Sequence, residues 1–237
     1  MMEERGLATV VIGLIRHQME VVRPPRGLWT PFQLGRPLGE PENPAFQRRV
    51  LTQALKLLER TDGPVILEDF PDDPPGWSDQ PGWQPPFVAE ALDEQPAGMT
   101  LQFDAELARL RPFWEAARQR YGRTTVGLSG QRPNLWPGFV AAVLGGQHPL
   151  VPPQTSMALS LRYLCDDIRA MYSEAAQSAG PAPASRQNDA WYWRSTIAGQ
   201  LVIALRSLAL ASDDEQLRTV GTRFMVPTMF LPVTPAG

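Results

Sequence analysis

Three apolar runs separated by two helical stretches, all near the start of the chain, constrain its fold more than any other feature. Leu7-Ala8-Thr9-Val10-Val11-Ile12-Gly13 is nearly continuously apolar, the pattern of a parallel strand covered on both faces. Leu14 to Val22 reads as a short helix ended by Pro24-Pro25, and Gly27 to Phe32 as a second extended segment. After the loop Gln33 to Pro41, Asn43 is placed to cap a helix with Pro44 at its first position. Phe46, Val50, Leu51, Ala54, Leu55 and Leu58 then recur at helical spacing. Thr61-Asp62-Gly63-Pro64 stops that helix, and Val65 to Phe70 is a third strand. Strand, helix, strand, helix, strand within about seventy residues implies βαβ units and a mostly parallel sheet. Met1 to Gly6 reads as the last turn of a helix with its terminating glycine, too short to hold itself. The chain is therefore expected to begin inside a domain, with some neighbours of the first strand encoded upstream.

Beyond Phe70 the character changes. Pro71 to Gly98 is rich in proline, glycine, tryptophan and acid, and Trp77 and Trp83 mark it as an ordered loop pinned across a surface or a partner. Leu101 to Tyr121 is helical, with Pro112 as a kink or restart and Gly122 as its end. Thr124 to Leu128 reads as a fourth short strand. A helix capped by Thr155 or Ser156 carries the stripe Met157, Leu161, Leu164, Cys165, Ile168, Met171, Tyr172 and Ala175. The next, capped by Asn188 or Asp189, buries Trp191, Ala198, Leu201, Val202, Leu205, Leu208 and Ala209. A last helix opens on Ser212-Asp213-Asp214-Glu215, read as a capping box. The expected architecture is an α/β protein with a mostly parallel sheet and flanking helices over residues 1–130, then a helical region over 131–237.

A net charge of −3 argues against a nucleic acid or an anionic membrane held by charge, and Lys56 is the only lysine. No apolar run reaches the roughly 18 to 20 residues of a membrane span. Cys165, the only thiol, shares an apolar helix face with Leu161, Ile168 and Tyr172, where a cysteine acts as a small hydrophobe. His17 and His148 lie far apart and outside any metal-ligand spacing, so no metal and no cofactor is expected. Of the acidic pairs, Asp213-Asp214 belongs to a helix start and Asp166 to an ion pair with Arg162. Glu68, Asp69, Asp72 and Asp73 cluster at the carboxyl end of a strand, where open α/β sheets bind ligands; a solvated loop is the plainer reading. Gly35-Arg36-Pro37-Leu38-Gly39 leaves another strand at the same end. Its glycines permit close backbone approach and its guanidinium suits a carboxylate, but the spacing is no phosphate-loop fingerprint. Gly127-Leu128-Ser129-Gly130 reads equally as a tight turn or a binding loop.

A resemblance rests on Ala8-Thr9-Val10-Val11-Ile12-Gly13, on Pro24-Pro25-Arg26, on Phe32-Gln33-Leu34-Gly35-Arg36-Pro37-Leu38-Gly39-Glu40-Pro41, and on Asn43-Pro44-Ala45-Phe46-Gln47-Arg48-Arg49-Val50-Leu51 leading into Ala54-Leu55-Lys56-Leu57-Leu58-Glu59. Over Leu7 to Asp72 the chain resembles the glycine/sarcosine/betaine reductase component B family, the selenoprotein B proteins and their shorter relatives. Tyr163-Leu164-Cys165-Asp166-Asp167 and Ala211-Ser212-Asp213-Asp214 look like those shorter relatives. The resemblance implies reductive cleavage of a C–N bond in a small amine, with a thiol or selenol carrier and other reductase subunits as partners, in the cytoplasm. The family's selenocysteine or cysteine pair precedes the Ala8 to Gly13 strand, which here falls before Met1. No catalytic residue is therefore assigned, and a UGA selenocysteine codon read as a stop would account for the start at Met1-Met2. The expected substrate-binding residues are Gly35, Arg36, Gly39 and Asp69, the ligand being an amino acid or an N-methylated amine. The alternative is a non-catalytic small-molecule-binding or partner protein that keeps the fold.

Overall fold

The computed structural model describes residues 2–39, 41–73, 79–89, 91–178 and 180–231. The chain divides into two compact units, residues 1–79 and 80–237. The first holds strands β1 (Val11–Gly13), β2 (Arg26–Trp29) and β3 (Ile66–Asp69) and helices α1 (Arg16–Val22) and α2 (Pro44–Lys56). All strands are parallel in the order β1-β2-β3, with Ile12 opposite Leu28 and Leu28 opposite Glu68. The α/β expectation holds in this coarse form, although the sheet is small and helices dominate.

Each face of the sheet has its own helix. On one face Leu28 and Ile66 pack with Val50, Ala54 and Leu57 from α2 and the turn that follows it. Phe32, Phe46 and Phe70 close this core as a triangle of rings with centroids 5.6, 5.7 and 5.8 Å apart. They come from the segment after β2, the first turn of α2 and the segment after β3, so they fix the carboxyl end of the sheet. Asn43 caps α2 as expected, its Oδ1 accepting from the Phe46 N–H at 3.1 Å, with Pro44 at the first position. Leu51 and Leu55, read as part of the buried stripe, are 42% and 57% exposed.

The opposite face carries Gly13 and Gly27, and α1 drops Met19 into the notch they leave. A Cβ on Gly13 would lie 2.0 Å from Met19 Sδ, and one on Gly27 would lie 2.6 Å from Met19 Cε. β1 is shorter than its apolar run and, among the described residues, is an edge strand, with Leu7 60% and Val11 44% exposed, rather than a strand covered on both faces. The opening turn is a 3-10 turn at Glu3–Arg5 ended by Gly6. It is held from outside itself: the Glu3 carboxylate accepts from Thr9 N at 2.8 Å, Thr9 Oγ1 at 3.0 Å and Arg26 Nη1 at 2.7 Å. The Thr9 N–H, with Arg26 beside it, holds the Glu3 carboxyl below its usual range.

The second unit is helical: α3 (Pro96–Tyr121), α4 (Trp136–Leu144), α5 (Met157–Ala176), α6 (Ser185–Ser195), α7 (Ile197–Ala211) and α8 (Glu215–Arg223). α5 runs through its middle, packing on α3, α6, α7 and α8, with Leu161, Leu164, Ile168, Tyr172 and Ala175 at most 1% exposed. The boundary lies at residue 79 rather than 130 because the Leu101–Tyr121 helix joins this core through Phe103, Leu107, Leu110 and Trp114. It continues through Pro112 as one helix. Thr124 to Leu128 forms no strand. Its donors turn to carboxylates on α5: Thr125 N and Oγ1 and Thr124 Oγ1 donate to Glu174, and the N–H groups of Gly127 and Leu128 donate to Asp167. Trp83 pins its loop as expected, packing on the helical core and donating to Ala176 O at 3.3 Å. Trp77 lies outside the described residues.

The single helix read across Trp191 to Ala209 is two, broken at Thr196. That break starts α7 inside the core, where its first N–H groups have no water to bond. Glu106, 2% exposed on α3, meets them: Ile197 N donates at 2.7 Å and Ala198 N at 2.9 Å, while Tyr172 on α5 donates its hydroxyl at 2.7 Å. Thr196 Oγ1 accepts from Gly199 N at 3.0 Å. Ser156 caps α5, and Asp214, not Ser212, caps α8, its Oδ1 accepting from Gln216 N at 2.7 Å.

Burial raises the Glu106 carboxyl above its ordinary 4.5. The native state therefore holds that proton more tightly than the unfolded chain. The contribution is full below pH about 4.5 and declines as pH rises through the raised native value. In Glu106→Gln either amide orientation sets an NH2 against a backbone N–H, so the variant is expected to lose about 1–3 kcal/mol. Denaturant melts from pH 4 to 8 check both: the wild-type advantage should shrink with rising pH, and a flat difference would refute the assignment. Gly199 gives a second expectation, because a Cβ there would sit 2.0 Å from Tyr192 O, a backbone atom, whereas Gly138 has open space. Gly199→Ala should cost about 3 kcal/mol, and Gly138→Ala should range from neutral to about 1 kcal/mol stabilising, both read from chemical denaturation.

Candidate functional site

The carboxyl end of the sheet is where β1, β2 and β3 hand over to their loops. Thr30 N donates to Gly13 O at 2.9 Å, and Trp29 Nε1 reaches Leu14 O at 3.3 Å, tying the ends of β1 and β2 together. From there the chain makes two successive turns, Arg36 N to Gln33 O at 3.0 Å and Gly39 N to Arg36 O at 2.9 Å. Gly35 at φ 89° and Gly39 at φ 85° supply the left-handed conformations these turns need. Nothing lies within 4 Å of a Cβ built on Gly35, so its requirement is conformational rather than steric. Phe32, locked in the ring triangle, anchors the loop at one end, and the buried Gly39 anchors it near the other. Between them Arg36 is exposed, with a partner of its own within the protein.

Leu34 and Pro37, on either side of Arg36, line an apolar pocket of about 320 Å³ whose other walls include Val11, Ile15, Met19 and Val22. The loop thus sets a cation beside an apolar concavity. Asp69 ends β3 at the same end of the sheet, and its carboxylate is taken by Arg16, whose Nε lies 3.1 and 3.3 Å from its two oxygens. Arg16 also pairs with Glu20. Three of the four acids in the cluster read from the sequence are dispersed into separate ion pairs: Glu68 with Arg60, Asp69 with Arg16 and Asp72 with Arg49. Of the four expected ligand residues, Gly35, Arg36 and Gly39 form one loop, while Asp69 serves to hold α1 to the end of β3.

The Gly127 to Gly130 loop is a tight turn, Gly130 N donating to Gly127 O at 3.1 Å. The N–H groups an anion would use are already filled. Asp167, 1% exposed, accepts from Gly127 N, Leu128 N, Ser129 N and Ser129 Oγ at 2.5–2.9 Å. Asp166 lies 3.7 Å from Arg162 as expected, and burial raises its carboxyl. The buried roles of Asp167 and Glu106 escape a reading by charge alone. The available signal was an acid within an apolar face, Glu106 beside Phe103, Leu107 and Leu110. No cluster of three or more histidine, cysteine, aspartate or glutamate side chains suited to a metal occurs among the described residues. None of their helices is long and apolar enough to cross a membrane.

Comparison with protein-family models, curated proteins and solved structures finds no match to this chain, so the site is read from its own chemistry. For redox chemistry the one thiol is decisive. Cys165 is 5% exposed inside the helical core, and burial, with Asp166 adjacent, pushes its pKa well up, away from the thiolate that reactivity requires. A soluble thiol reagent is expected to label Cys165 slowly in the native protein and rapidly in denaturant. Cys165→Ser should cost about 1–3 kcal/mol by burying a hydroxyl. Fast native labelling would reopen a redox role.

Proposed function

We propose that the first unit is a small-molecule-binding α/β framework of the reductase component B kind, and that the Gln33 to Gly39 loop receives the carboxylate of an amino acid or of an N-methylated amine that carries one, such as sarcosine or betaine. The observation that carries this reading is Arg36 held between two left-handed glycines, at the carboxyl end of the central strand of a parallel sheet. That is the end at which open α/β sheets take their ligands, and a guanidinium offers a carboxylate two parallel donors. A ligand carboxylate exchanges with the partner Arg36 already has.

In this reading the reduction of a C–N bond draws its redox pair from another polypeptide segment or subunit, because Cys165 is the chain's only cysteine and is buried. Other reductase subunits, a thiol or selenol carrier and a cytoplasmic setting belong to the same proposal. The buried thiol equally favours a second reading, a protein that binds such a ligand without transforming it. The two part on a simple assay: release of free amine from glycine, sarcosine or betaine in the presence of a dithiol and candidate subunits marks the first, and binding without release marks the second.

Ligand-induced thermal stabilisation tests the site itself. Glycine, sarcosine and betaine are expected to raise the melting temperature of the wild type. Arg36→Lys, which keeps charge but loses the planar fork, should weaken binding, and Arg36→Ala should weaken it by about tenfold or more. Both variants should melt like the wild type without ligand, since the side chain is exposed. Equal binding by wild type and Arg36→Ala would reduce the loop to a connection.

A further inference from the structure

The face of the sheet opposite Met19 carries a feature that the ligand loop does not use. A groove of about 610 Å³ runs along α2 beside β3, and its walls include Arg48, Arg49, Lys56 and Arg60, with Thr52 between them and Glu68 on the strand side. Four cations on one surface are notable in a chain whose 25 acidic residues outnumber its 22 basic ones. Two are neutralised in place, Arg49 by Asp72 and Arg60 by Asp62 and Glu68. Arg48 and Lys56 have no carboxylate partner among the described residues, and both are exposed. With Thr52 midway they form one stripe, two turns long, their backbone positions about 12 Å apart at 1.5 Å per residue.

The strand flooring this groove is an edge. β3 pairs only with β2 among the described residues. Ile66 N and Phe70 N donate inward, to Pro25 O at 3.0 Å and Trp29 O at 2.7 Å. By the alternation of a parallel ladder, the N–H groups of Leu67 and Asp69 point outward, a template for a further strand. A phosphate-bearing small molecule would use the cations and leave that edge idle. An extended polypeptide uses both, and residues four apart in a strand share a face and stand about 13 Å apart.

We propose that this groove docks an extended acidic segment of a partner protein, added as a fourth strand on β3, with carboxylates four residues apart meeting Arg48 and Lys56. The site is independent of the Arg36 loop. The probe is a fluorescein-labelled peptide alternating valine and threonine with two glutamates four residues apart, titrated with the full chain at low salt and followed by fluorescence anisotropy. Saturable binding is expected, weakening as salt rises, and falling about fivefold or more for the Arg48→Ala/Lys56→Ala double variant. N-methylation of the peptide on its pairing edge should also weaken it. Arg48→Glu/Lys56→Glu should prefer the same peptide with lysines in place of its glutamates, a swap that no loss of folding produces. No saturable binding to wild type, binding unchanged in the double variant, indifference to N-methylation, or tighter binding of inorganic pyrophosphate than of the peptide would each overturn the proposal.

Discussion

The helical unit depends on one buried carboxylate. Breaking a helix inside a core strands the first N–H groups of the new helix away from water, a cost that would ordinarily exclude a break there. Glu106 removes the cost by reaching from α3 to Ile197 N and Ala198 N, while Tyr172 on α5 completes its coordination. Three helices are thereby referenced to a single side chain. Around it the rings of Tyr172, Tyr192, Trp191 and Phe87 pack edge to face or tilted, with centroids 5.4–6.5 Å apart. Because the turn at Thr196 lets α6 and α7 change direction, both Trp191 and Leu205 reach the same core.

The α5 helix repeats the device along its flank. Asp167 and Glu174, seven residues and so two turns apart, accept from the segment that links α3 to α4. These contacts explain why a stretch rich in threonine and valine, with good strand propensity, is no strand. Its backbone donors are taken by carboxylates of its own unit, and the strands of the sheet belong to the other. Local propensity gave way to a specific set of hydrogen bonds.

Much of the first unit was legible because its signals are local. The Asn43-Pro44 cap, the alternation of strands with helices and the two glycines flanking Arg36 each depend on residues a few positions apart, and each has its counterpart in the structure. What could not be read is long-range. Nothing near Glu3 announces that it will meet Arg26, and nothing near Asp69 announces Arg16, 53 residues earlier. The acidic cluster looked like a candidate site because its members are close in sequence, yet three of the four, Glu68, Asp69 and Asp72, are each drawn to a different arginine. The single helix read through Thr196 failed for a related reason. The apolar pattern runs on across the break, and two of the N–H groups it exposes are met by the distant Glu106 rather than by the local Thr196 cap.

The close approaches of two kinds of glycine have different consequences for how sequences of this fold can drift. At Gly199 the obstructing atoms belong to the main chain of Tyr192 and Trp193, which no substitution elsewhere removes, so that position is frozen. At Gly13 and Gly27 the obstruction is the side chain of Met19. A larger residue in either strand is accommodated once position 19 becomes smaller, and a bulkier residue at 19 requires both glycines. Positions 13, 19 and 27 therefore vary as a linked set in descendants of this chain, while 199 stays constant.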